Sequence, residues 1–160
     1  MVDIFKEFYR AEPRYNQKYE TLMKNLTTYG GGQDKEVYLT GKYFSNAYEL
    51  YMYATMIGIY MNKKVPINKQ DSRRFWNIGN WKYDDIIKFI IMSLFSKSQE
   101  NLIEWEDLED DEVRKRIRNL IELMQEYANG GLEYINTKME EDPDYFDDTS
   151  FVRLLSDCIQ

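Results

Sequence analysis

Ala47, Leu50, Tyr51, Ala54, Gly58 and Met61 recur at the 3.6-residue period of one helix face, and three of the six are small. A stripe that alternates small and large side chains suits a second helix whose backbone comes close, so this chain needs at least one tightly packed helix pair. Six of its 14 tyrosines lie between Tyr38 and Tyr60, in and before the same stretch. Their rings supply apolar area while their hydroxyls turn to water or to polar partners. The pattern specifies packing and names no chemistry.

Helical spacing recurs elsewhere. Tyr15, Tyr19, Leu22, Met23 and Leu26 share a face from about Arg14 to Tyr29, and Gly30, Gly31 and Gly32 end it. Residues 36–44 are rich in β-branched and aromatic residues, but Gly41 interrupts them and they read as a loop. The striped helix starts near Ser45 or Asn46, with Glu49 placed as in a capping box, and runs to about Met61 before Pro66. From about Asp84 to Ser96 the chain is apolar nearly all round, which predicts the central helix of the fold. After an acidic link from Glu100 to Glu112, a helix carries Val113, Ile117, Leu120, Ile121, Met124 and Ala128 on one side. The run Asn129-Gly130-Gly131 then reads as its C-terminal stop. A fifth helix is expected from Leu132 to Glu141, and a short last one from Thr149 or Ser150. The expected fold is all-α: a single-domain bundle of five or six helices, spanning residues 1–160, with a long basic and aromatic connector.

At 160 residues, 43% hydrophobic and 31% charged, the chain is long enough for one core without disulfide staples, and its one cysteine, Cys158, cannot form an internal bridge. An N-terminus carrying Asp3 and Glu7, and the lack of a long uncharged apolar run, predict a cytoplasmic protein with no membrane span. Net charge is −7, but residues 1–82 hold 13 basic and 8 acidic side chains and residues 83–160 hold 8 and 20. Such polarity can steer a charged partner to one end, or align two copies head to tail.

With no histidine in the chain, hydrolase triads and histidine-containing metal sites are excluded. The acidic clusters 104–112 and 140–148 lack the glycine and closing glutamate of a calcium loop. They read instead as solvated segments whose charges favour helix N-termini. The segment from Gly30 to Lys35 lacks the spacing of a phosphate-binding loop. No catalytic, cofactor or metal residue is therefore expected.

Residues 62–82 are the strongest candidate. Lys63, Lys64, Lys69, Arg73, Arg74 and Lys82 alternate with Phe75, Trp76 and Trp81. Cations for phosphates and flat rings for base stacking would suit single-stranded nucleic acid, although the sequence pI of about 4.8 opposes that reading. Arg and Trp are also the preferred anchors of protein interfaces. A third reading gives Trp76 and Trp81 to the core and leaves the lysines solvated.

The run EVYLTGKYFSNAYELYMYATMIGIYMNKKVPI, a Phe/Trp-containing segment, an aliphatic helix and then EYANGGLEYI together resemble small helical accessory proteins of bacterial DNA-modification and phage-defence islands, including those near phosphorothioation genes. The resemblance covers residues 36–136 and transfers no functional residue. It implies a non-catalytic subunit working beside a larger ATPase or nuclease. The expected partner is a protein. Nucleic-acid binding through the connector, a carboxylate-metal enzyme and a DNA-mimicking acidic inhibitor are the alternatives, and self-association stays open.

Overall fold

The computed structural model describes residues 2–29 and 44–142. The expected glycine stop at 30–32, the loop before residue 44, the last helix and Cys158 lie outside the described residues. The elements in chain order are α1 (Ile4–Arg10), β1 (Arg14–Asn16), α2 (Glu20–Leu26), β2 (Thr27–Tyr29), β3 (Phe44–Asn46), α3 (Ala47–Met61), β4 (Ser72–Arg74), α4 (Asp84–Ser98) and α5 (Asp110–Glu141). Single 3-10 turns lie at Gln17–Tyr19, Ile78–Asn80 and Leu102–Asp107. The protein is mostly helical, and its strands form two small ladders. One pairs β1 with β4 antiparallel, the other β2 with β3 in parallel.

The striped helix forms as its spacing demands. Before its first turn the Glu49 carboxylate accepts from the backbone N–H of Ser45 at 3.1 Å and of Asn46 at 3.4 Å. At its end Asn62 turns left-handed, with φ 52°, and the Lys63 N–H closes onto the Gly58 carbonyl at 2.8 Å. Its buried face, including Leu50, Tyr51, Ala54, Ile57 and Gly58, lies along α5, and no other pair of elements packs so extensively.

The largest departure from the sequence reading is α5 itself. Asn129-Gly130-Gly131 does not stop the helix; Asp110–Glu141 is one continuous helix of 32 residues. The glycines serve close approach instead. A Cβ on Gly131 would lie 1.8 Å from the Ala54 carbonyl oxygen, one on Gly130 1.9 Å from that of Lys63, and one on Gly58 2.0 Å from that of Tyr127. The α3 and α5 backbones thus touch where both carry small residues. Helix α4 is not the central helix expected from its composition. Ile87, Ile90, Ile91, Leu94 and Phe95 are buried, but Phe89 and Met92 are exposed, so it flanks the α3–α5 pair.

The N-terminal region also differs. Residues 14–16, read as helix, are a strand because the chain from Ser72 to Arg74 pairs with them, and the helix after them is short. Ser72–Arg74, within the connector, is the other half of that ladder. The unexpected α1 is capped by Asp3, whose carboxylate accepts from the Lys6 N–H at 3.1 Å. Its Tyr9 hydroxyl donates to Asp84 at the start of α4, and burial together with that carboxylate pushes the phenol up to about 12.

Candidate interaction surface

Residues 62–82 are fastened to α5 at several points. The Val65 N–H donates to the Glu126 carbonyl at 3.0 Å, and the Lys63 backbone rests on Gly130. Beside them three asparagines interlock. The Asn129 side chain, 0% exposed, accepts from the Asn16 N–H at 2.7 Å and donates to the Gln125 carbonyl at 2.7 Å. The Asn16 side chain in turn donates to the Pro66 carbonyl at 3.0 Å and accepts from the Asn68 N–H at 2.7 Å. The Gln17 N–H meets the Asp71 carbonyl at 2.7 Å, and the Gln125 side chain accepts from the Arg14 N–H at 2.8 Å. The segment is irregular in outline but these backbone groups, which lie against the core, are partnered.

Its rings form the other side of that attachment. Phe75 stacks on Tyr51 with centroids 5.0 Å apart, Trp81 lies parallel to Tyr48 at 6.2 Å, and Tyr15 meets Phe75 edge-on at 6.0 Å. Trp81 is 7% exposed and donates its indole N–H to the Trp76 carbonyl at 3.0 Å. The Tyr51 hydroxyl donates to the Arg14 carbonyl at 2.9 Å, and burial raises its pKa, keeping it a neutral donor. Of the two tryptophans, only the half-buried Trp76 presents ring surface, 6.3 Å from the Tyr48 ring.

The cations divide as well. Arg73 and Arg74 are consecutive in β4, so their side chains leave opposite faces of the ladder. Arg73 meets Glu20 at 3.1 Å and Arg74 meets Glu12 at 3.4 Å. Lys63 pairs with Glu133 at 3.5 Å. Lys64 and Lys69 are exposed, and no carboxylate of the described residues lies within ion-pair distance of either. The ladder adds Arg14, directly opposite Arg74, and the following turn adds Lys18. A shallow cavity of about 390 Å³ lies between that turn and Val65, Pro66, Asn68 and Asp71. Sequence inspection did not group Arg14 and Lys18 with the connector. The only sign is a pairing across 58 residues, which three-residue strands leave no periodic trace of.

Among the described residues no group of three or more acidic or thiol side chains is placed to hold a metal ion, and no helix is long and apolar enough to cross a membrane. What the connector offers is a surface fastened to the core, with Lys64 and Lys69 exposed and without an acidic partner among the described residues, and with Trp76 partly exposed.

Residues 14–156 match the sequence profile of the family described as DNA sulphur modification system-associated protein 4. The chain belongs to that family. The match spans β1, the connector and all of α5, so the family's pattern includes both the α3–α5 contact and the segment fastened to it. No curated protein and no solved structure matches the chain.

The two tryptophans separate by measurement. Trp81→Ala empties a buried site between Tyr48, Tyr51 and Phe75 and is expected to cost about 3 kcal/mol, whereas Trp76→Ala should cost about half that or less. Denaturant melts of both variants check this, and equal losses would contradict the burial difference.

Proposed function

We propose that this family member is a non-catalytic, cytoplasmic accessory subunit of a bacterial DNA sulphur-modification assembly, and that it binds a protein partner through the connector face. The residues assigned to that surface are Lys64 and Lys69, with Arg73 and Arg74 projecting from the two sides of the adjoining β4 strand and Trp76 as the apolar anchor. Lys63, paired with Glu133, and the buried Trp81 help to hold the segment in place. One observation carries the reading: the backbone of residues 63–74 is bound to α5 and β1 before any partner arrives, so docking on it incurs little ordering cost. A surface fixed in this way, carrying cations and a partly exposed tryptophan, has the make-up of an interface hot spot.

Direct nucleic-acid binding is the weaker alternative for a physical reason. Trp81 and Phe75 are inside the core and cannot stack on bases, and Arg73 and Arg74 already face Glu20 and Glu12. The acidic remainder of the chain would add long-range repulsion toward phosphate.

The test uses Arg73→Glu/Arg74→Glu and Lys64→Glu/Lys69→Glu in the full chain, with thermal stability and co-purification with the other proteins of the modification system as paired readouts. Each exposed ion pair contributes at most about 1 kcal/mol to stability, so folding should persist while association weakens about tenfold or more. Charge reversals that leave every association untouched, or that unfold the protein, would remove the connector from the interface. A mobility shift with short single-stranded DNA, tight and steeply salt-dependent, would favour the nucleic-acid alternative.

A further inference from the structure

The N-terminal end of α5 carries a second surface, of contrary charge to the connector attached near the middle of the helix. At 1.5 Å per residue, Asp110 lies about 24 Å along the helix from Glu126, where the connector is attached. Here Val2 and Ile4, Leu102, Trp105 and Glu106 of the 3-10 turn, Leu108 after it, and Asp110 and Val113 at the start of α5 line a cleft of about 450 Å³. Its floor is fixed. The buried Trp105 ring packs on Phe95 at 4.9 Å and donates its indole N–H to Glu100 at 2.9 Å, and Glu100 is clamped by Arg116 at 2.8 Å. Ile103, next to Leu102 in the chain, is 75% exposed, a large apolar side chain that the fold does not use.

The rim is acidic in a way helix stability does not explain. Asp110, Asp111 and Glu112 occupy the first turn of α5, where negative charge favours the helix dipole. Glu104, Glu106 and Asp107 precede that helix, are exposed, and have no cation of the described residues within ion-pair distance. A cleft with apolar walls and acidic Glu106 in its lining, next to Glu104 and Asp107, which meet no cation among the described residues, and to the exposed Ile103, complements one kind of occupant. We propose that this cleft docks a basic segment of a partner protein that carries apolar anchors, its leucine-like side chains entering between Leu102 and Val113 and its lysines or arginines meeting Glu104, Glu106 and Asp107. This surface is separate from the connector, so the protein is a bridge with two docking surfaces of opposite charge.

The probe is a synthetic helical peptide of leucine and lysine, with leucines at i, i+3, i+4 and i+7, titrated into the isotopically labelled full chain and followed by NMR and calorimetry. A second peptide replaces every leucine by serine. Shifts should concentrate on residues 102–113 and the Trp105 indole. Glu104→Gln/Glu106→Gln/Asp107→Asn should weaken the leucine peptide about tenfold, and Ile103→Ser severalfold. All four substituted side chains are exposed, so the variants fold and their thermal melts serve as the check. The proposal is overturned if the serine peptide binds as well as the leucine peptide, if the triple variant binds within twofold of the native chain, or if shifts spread over the acidic surface without centring on the cleft. It is also overturned if the native chain associates head to tail in sedimentation and Arg73→Glu/Arg74→Glu abolishes this, because the occupant would then be a second copy.

Discussion

Gly131→Ala and Gly58→Ala are expected to lower the stability of this protein, although alanine is the better helix former at both positions. In an exposed helix interior the change would stabilise by about 1 kcal/mol. Here the added methyl would lie 1.8 Å from the Ala54 carbonyl oxygen in one case and 2.0 Å from that of Tyr127 in the other. Both obstacles are helix backbone, so relief requires α3 and α5 to move apart along their whole contact. Each alanine should cost about 2 to 3 kcal/mol, and Gly131→Leu about 4 kcal/mol or more. For a domain of this size that lowers the melting temperature by about 10 °C in the leucine variant. Thermal or urea melts give the sign directly. A neutral or stabilised Gly131→Ala would mean that the two backbones do not touch there.

The same glycines show how far the sequence could be read. Ala54 and Gly58 announce a close helix contact because they fall on the stripe with Leu50 and Tyr51, and the capping pair Asn46 and Glu49 marks where that helix begins. Gly130 and Gly131 carry the same message in α5. Next to Asn129, however, they also match a helix terminus, and local sequence does not separate a stop from a close approach. The partner decides: the carbonyls of Lys63 and Ala54 occupy the space a side chain would fill. The composition of α4 misled for a related reason. A helix apolar on nearly every side reads as central, but Phe89 and Met92 lie on its exposed side.

For the candidate site, the sequence supplied the segment but not its division of labour. Basic and aromatic residues interleave over 62–82 whether the rings face inward or outward. Tyr48 and Tyr51 on α3 draw Phe75 and Trp81 inward, and the two-residue period of β4 sends Arg73 and Arg74 to opposite faces. Neither effect is visible until α3 and β1 are in place. The family match agrees with the resemblance read from residues 36–136 and extends it to 14–156. The added N-terminal part holds Asn16, on which the docking of the connector depends.

That dependence gives the second large effect. The Asn129 side chain meets both the Asn16 N–H and the Gln125 carbonyl at 2.7 Å, and it does so with no exposure to water. Asn129→Asp keeps the shape and the acceptor toward Asn16, but its second oxygen must face the Gln125 carbonyl. Ionised, it would place negative charge against that carbonyl in the core; protonated, it can donate as the amide does. Burial therefore raises the folded-state pKa of this aspartate, and such sites shift by up to about 3 to 5 units from the usual value near 3.9. With the folded pKa raised, the folded state binds more protons than the unfolded one between the two values, so stability falls as pH rises through that window. Below about pH 4 the variant should approach the native chain; by pH 7 it should be weaker by about 4 kcal/mol, the linkage cost of about three pH units. Asn129→Ala separates charge from hydrogen bonding. It strands the Asn16 N–H at every pH and should cost about 1 to 3 kcal/mol without a comparable pH dependence. Urea melts of both variants and the native chain from pH 4 to pH 8 provide the comparison. A constant gap between Asn129→Asp and the native chain would show that residue 129 is open to solvent and that the connector is held to α5 by something other than this asparagine network.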